Sequence, residues 1–213
     1  MKRNFSINLL LMILMVVAFI GCSKDDDNDS PTNPGTPAIT IDSPTQVSFK
    51  VNNVAVSYVS AVSNVESYFS NSSLLATFPD TSETVFGYGF QKAVGSNYIN
   101  LFDVEKGTYE FVTSDSALFV GFFPEQSVPY SNAAANGVRI IYYDENGDQW
   151  ASDYGSAAQT GSTFVIQDTK FRISGGDKYM KVKASFSCNV YDGSGSFKTI
   201  TDGVAVFDFW SEY

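Results

Sequence analysis

From about Ala38 to the end of the chain, apolar and polar positions alternate with a period of two, the signature of strands with one wet face. The clearest stretch is 180–191, MKVKASFSCNVY, where Met180, Val182, Ala184, Phe186, Cys188 and Val190 point one way. Lys181, Lys183, Ser185, Ser187, Asn189 and Tyr191 point the other, which predicts a half-buried antiparallel strand. The final run, Val204 to Trp210, is apolar at both parities and predicts a central strand buried on two sides.

Turn residues punctuate this pattern. Asn52-Asn53 separates QVSFKV from VAVSYV, and asparagine tolerates positive φ better than most residues. Asn146-Gly147 divides VRIIYY from QW, Gly175-Gly176-Asp177 follows GSTFVIQDT, and Asp192 to Gly195 precedes FKTI. Glu105-Lys106-Gly107, flanked by NYINLF and TYEFV, predicts another turn. Short helix-tolerant stretches occur near Val62–Tyr68 and Ser131–Ala135. About ten to twelve strands at this spacing define an all-β class, with an antiparallel β-sandwich as the first expectation and a lipocalin-like closed barrel as the alternative. No amphipathic run is long enough for the crossover helix of a parallel sheet.

The first residues break the pattern. Lys2 and Arg3 precede an unbroken apolar run from Leu9 to Ile20, then Gly21 and Cys22. That run fits a signal-peptide core of about 7–15 residues and falls short of the roughly 20 needed to span a bilayer. Gly21-Cys22 after the run resembles the lipobox of bacterial lipoproteins, with Phe19 and Ile20 where the pattern has Leu and a smaller residue. The resemblance implies cleavage before Cys22 and lipidation of its thiol, so the membrane is the first partner, held through lipid. The run Lys24-Asp25-Asp26-Asp27 is similar to the acidic export signal that sends lipoproteins of Bacteroidetes-type bacteria to the outer face of the outer membrane. A plain self-repelling linker is the other reading of the same residues. The division expected is a signal peptide over 1–21, a lipidated acidic and Pro-rich tether over 22–37 and one all-β domain over 38–213.

Composition narrows the chemistry. The 213 residues carry a net charge of −10, which disfavours a phosphate backbone as partner, so no nucleic acid is expected. There is no histidine, which removes the commonest general base and metal ligand. With Cys22 lipidated, Cys188 has no partner for a disulfide, and its place on the apolar face of a strand marks it as an inert core thiol.

The mature chain also resembles the small, functionally uncharacterised surface lipoproteins of Bacteroidetes-type bacteria in its FKVNNVAV hairpin, KGTYEF, SDYGS and TDGVAVFDF segments. Those motifs are strand and turn chemistry, so the resemblance implies fold and location and assigns no site.

Candidate sites are few. Asp144, Asn146 and Asp148 have the opening spacing of a calcium loop, but Gln149 and Gly155 stand where its glycine and bidentate glutamate belong, which leaves an acidic hairpin tip. No metal site, no catalytic residue and no cofactor is therefore expected. Tyr143 and Trp150, on one predicted hairpin, form the candidate ligand-binding pair as a sugar-stacking platform. The leading functional expectation is a non-catalytic binding or accessory module at the cell surface, for a glycan or protein ligand. A structural or envelope-assembly lipoprotein with an envelope protein as partner is the alternative, and a histidine-free hydrolase is a distant third.

Overall fold

The computed structural model describes residues 38–74, 83–108, 116–131, 137–154 and 158–212. Residues 38–213 form one compact unit. Cys22, Lys24, Asp25, Asp26 and Asp27, and most of the TYEFV and Ser131–Ala135 stretches, lie outside the described residues.

Ten strands follow in chain order: β1 (Gln46–Val51), β2 (Val54–Val59), β3 (Val65–Leu74), β4 (Glu83–Val94), β5 (Asn97–Thr108), β6 (Gly137–Tyr143), β7 (Gln149–Ala151), β8 (Thr163–Ser174), β9 (Asp177–Tyr191) and β10 (Phe197–Ser211). A short helix, α1 (Ser116–Gly121), lies between β5 and β6. The strands pair antiparallel in the order β2-β1-β10-β9-β7-β6-β5-β4-β3, with β8 added along β9. The protein is all-β, and its single sheet is nearly closed into a barrel. One continuous sheet is the barrel alternative expected from the sequence; two facing sheets are not formed among the described residues. The ends of the order, β2 and β3, are joined by a tight turn in which Ala61 N–H donates to Val65 O at 2.8 Å.

Sequence explains most of the pairing. Asn52 and Asn53 both adopt positive φ, 48° and 69°, as a two-residue hairpin requires, and β1 pairs β2 from Gln46↔Val59 to Val51↔Val54. Gly175 and Gly176 turn β8 into β9 in the same way. Alternation on β9 holds over its whole length, with Met180, Val182, Ala184, Phe186, Cys188 and Val190 all buried. β10 is central, between β1 and β9, and buries Val206 as well as Ala205, Phe207 and Phe209.

Glu105-Lys106-Gly107 is a correction, because no turn forms there. β5 runs straight through it, paired to β4 at Gly87↔Glu105 and to β6 at Glu105↔Arg139. Ladder bonds on both sides outweigh the local turn preference of a charged pair followed by glycine. The reversal lies instead at Gly95, which takes positive φ between β4 and β5. The Val62–Tyr68 stretch is also strand and turn, since Val65–Tyr68 belong to β3.

The interior is aromatic. Phe102 stands 5.2 Å from Phe49, 5.8 Å from Phe186 and 6.4 Å from Phe207, ring centre to ring centre, so one ring links β5 to β1, β9 and β10. Gly203 makes room for this layer, because the Phe186 ring lies where its Cβ would be, at 2.6 Å.

Candidate functional site

The Tyr143–Trp150 pair is not one platform. Register sets Tyr142 opposite Trp150 and Tyr143 opposite Gln149, so Tyr143 and Trp150 face opposite sides of the sheet. Trp150 packs with Tyr142 against the core. Its indole N–H donates to Asp144 Oδ2 at 3.0 Å, and Lys198 Nζ lies 3.9 Å from its ring centre. Tyr143 points outward to Asn100 and Asp103.

The hairpin tip between them is built on Asp144. Its Oδ1 accepts the backbone N–H groups of Asn146 at 3.0 Å and Asp148 at 3.1 Å, and its Oδ2 accepts Lys198 Nζ at 2.6 Å as well as Trp150. The carboxylate of this acidic hairpin tip accepts four hydrogen bonds from within the protein. Among the described residues no cluster of acidic or thiol groups has the arrangement of a metal centre. Cys188 is buried, and that burial pushes its thiol up to about 12, so it is not a nucleophile near neutrality.

The outer side of β3, β4 and β5 carries a second polar cluster. Asp103 Oδ1 accepts the Tyr68 hydroxyl and Oδ2 accepts the Tyr143 hydroxyl at 3.4 Å. Gly89 makes this possible, since a Cβ there would collide with the Tyr68 ring and the Asp103 carboxylate. Beside it Arg139 bridges Asp153 at 2.7 Å and Glu105 at 3.2 Å. Burial, with the nearby Glu105 carboxylate, raises Asp103 to about 6 against the opposing tyrosine hydrogen bonds and Arg139. A carboxyl raised from about 3.9 stabilises the fold fully below about pH 4, and that stability is lost as pH rises through about 6. Carbon-detected NMR should show the Asp103 carboxyl titrating near pH 6; a midpoint below 4.5 would contradict the burial argument.

The third feature is a cavity of about 430 Å³ where β5 ends and β6 begins. α1 sits over this end and inserts Phe119, with Phe122 and Phe123 just after it, among the core rings; Phe119 lies 5.1 Å from Phe86. Leu118 of the same helix stays 52% exposed at the cavity mouth. The segment Gln126–Ser131 closes the opposite wall, hydrogen-bonded to β8 through Val128 N–H to Phe164 O and to β6 through Val138 N–H to Pro129 O. Gly137 permits that crossing, because a Cβ there would strike the Pro129 carbonyl.

Lys106 reaches this cavity from β5. It shares the parity of Phe102 and Val104, both fully buried, so its stem runs along the inner side of the sheet. Its ammonium lies 3.7 Å from the Phe122 ring centre and 5.8 Å from that of Phe123. Among the described residues no carboxylate pairs with it. Burial lowers its pKa to about 8. The described lining includes Lys106, Leu118, Phe122, Gln126, Ser127 and Val128, and no Asp or Glu.

The turn expected at Glu105-Lys106-Gly107 hides Lys106 from sequence reasoning. The available signal was parity: a lysine two residues beyond Val104 and four beyond Phe102, on the apolar face of a strand. Asp103 carried no comparable signal, since its partners Tyr68 and Tyr143 come from strands far away in the chain. In comparisons with protein-family models, curated proteins and solved structures, the chain finds no match.

Proposed function

We propose that this protein is a lipoprotein held at the outer surface of the outer membrane through Cys22, and that its barrel is a non-catalytic binding module taking a small ligand into the cavity at the β5–β6 end. The observation that carries the binding reading is Lys106, a half-buried cation with no carboxylate partner among the described residues, set in an open cavity. At about 430 Å³ the cavity falls within the usual ligand range of about 300–1,000 Å³. An apolar wall with a few polar groups suits binding. The leader, the acidic run Lys24–Asp27 and the tether to Pro37 support the location.

Gly121 gives the test of the site. A Cβ at this position would meet nothing within 4 Å, so Gly121→Trp places an indole at the mouth without a backbone clash. In ligand-observed NMR with a panel of oligosaccharides, peptides and lipophilic acids, binders of the 38–213 unit should lose at least about tenfold in affinity in this variant. Binders that are indifferent to Gly121→Trp would remove the cavity from the account. Location is tested separately. Protease applied to intact cells should degrade the barrel, and changing Asp25, Asp26 and Asp27 to Ala should protect it. Equal degradation in both strains would refute the export-signal reading.

The envelope-assembly alternative has one observation of its own. β8 pairs only with β9, and beyond Ile166 no strand covers its other edge among the described residues. Asp168, Lys170 and Arg172 along that stretch are the kind of charges that discourage strand addition, so the cavity is the stronger lead.

A further inference from the structure

We infer that the cavity beside Lys106 selects an amphipathic monoanion: a carboxylate joined to an apolar body, the carboxylate seated on the Lys106 ammonium and the body lying against Phe122, Leu118 and Val128. This rests on the cavity being the ligand site and adds the chemical class of what enters it.

Four observations lead there. Lys106 stands on the core side of β5, in register with Phe86 on one neighbouring strand and Val138 on the other, both buried. A lysine so placed has its charge partly stripped of water. What it gains in return is the faces of Phe122 and Phe123, a weak substitute for a counter-ion. The described cavity wall contributes neutral polar groups at Gln126 and Ser127, able to donate to an anion, and no competing carboxylate. Most of the remaining wall is apolar, including Leu118, which is half exposed at the mouth.

The net charge of −10 does not oppose this. Exposed charges farther away than a Debye length of about 8 Å at physiological ionic strength are largely screened, so the ammonium, which has no carboxylate partner among the described residues, governs the local field. A doubly charged ligand is disfavoured, because one half-buried ammonium compensates one charge and the lining supplies no second cation among the described residues. A neutral sugar would leave Lys106 without a charged partner among the described residues and the apolar wall poorly used.

The anion also predicts a pH dependence. With Lys106 near 8 when the cavity is free, binding of an anion holds the proton and raises that value. Affinity should be level below about pH 7.5 and about tenfold weaker by pH 9, as binding must supply the missing proton. Nothing on an alkanoate titrates in that range.

The probes are decanoate, decanol and decylammonium, which share one apolar body and differ in charge. They are titrated by calorimetry, below their micelle-forming concentrations, into the 38–213 unit, which contains every described strand pairing and the whole described core. Decanoate should bind at least about tenfold tighter than decanol, since a hydrogen bond to a charged group is stronger than a neutral one, and decylammonium should bind weakest. Lys106→Met keeps the stem and removes the charge. It should melt no lower than the parent, bind decanoate and decanol alike, and lose the decline above pH 8. Leu118→Glu, which replaces part of the apolar wall with a negative charge, should weaken decanoate by more than it weakens decanol.

Decanol matching decanoate in the parent, with both lost in Gly121→Trp, would overturn the anion and leave the cavity as the site. Binding of all three probes indifferent to Gly121→Trp would overturn the cavity itself. Absence of binding by any of the three would overturn the amphipathic class, while a glycan or peptide displaced by Gly121→Trp would keep the site.

Discussion

Phe102→Ala is expected to lower the unfolding free energy by about 3–5 kcal/mol, the range for removing a large buried aromatic side chain. Phe102 is fully buried and touches rings from three other strands, Phe49 on β1, Phe186 on β9 and Phe207 on β10. Those rings are themselves held in the layer, Phe186 by its seat over Gly203, so the space left by alanine cannot readily collapse. Typical stabilities are about 5–15 kcal/mol, so about a fifth or more of the total is lost. Urea unfolding should show a lower midpoint with an unchanged slope. Phe197→Ala is the contrast: this ring is 58% exposed and should cost under about 1 kcal/mol. Comparable losses at the two positions would mean that the barrel interior is not the core.

Asp144→Ala is expected to cost about 3 kcal/mol, within the usual range for breaking a buried ion pair from one side. The substitution removes four accepted hydrogen bonds at once. It leaves Lys198, only 20% exposed in its side chain, beside the Trp150 and Tyr142 rings without its carboxylate. Lys198→Met in the same background should recover part of the loss, because it deletes the orphaned charge. Burial works to raise the Asp144 pKa, but the bonds from Lys198, Trp150 and the Asn146 and Asp148 amides outweigh it, and the net shift is downward. A carboxyl lowered in the fold contributes stability above its unfolded value of about 3.9 and loses it as pH falls through the folded value. The difference in melting temperature between parent and Asp144→Ala should therefore shrink on acidification below about pH 4. A difference that stays constant from pH 7 to pH 2 would contradict the ion-pair account.

Asp103 behaves in the opposite sense. Its carboxyl is raised to about 6, so acidification from neutral pH relieves it while the Asp144 tip is still intact. The two groups together predict greatest stability on the mildly acidic side of neutral as far as these carboxylates determine it.

Local chemistry made most of the strands readable. The even alternation of β9 and the doubly apolar run of β10 state burial directly, and Asn52-Asn53 and Gly175-Gly176 mark reversals that few other residues permit. Asn146-Gly147 was readable only in part. Gly147 alone takes positive φ, and the tip is a longer loop in which Gly147 N–H donates to Asp144 O at 2.9 Å. Closure of one sheet rather than stacking of two depends on β10 pairing with β1, residues more than a hundred positions apart, and no short pattern encodes that. α1 has six residues, too few to show helical periodicity.

The candidate site was harder to read than the fold for the same reason. Trp150 and Tyr143 are close in sequence, but a pairing register of Tyr143↔Gln149 sends them to opposite sides, and register is a property of the sheet. Lys106 is distant in sequence from Gln126–Ser131, and the cavity exists only because Gly137 lets that segment cross the end of β6. The apolar parity of Lys106 was visible in the sequence; the wall that gives it meaning was not.

Intermolecular nuclear Overhauser effects between a bound ligand and the side chains of the 38–213 unit test the central claim most directly. A binder taken from the panel should show contacts to Phe122, Leu118 and Val128, with the Lys106 ε-methylene shifted on binding. Contacts confined to Tyr68 and Tyr143 on the outer face, with Lys106 unmoved, would contradict it.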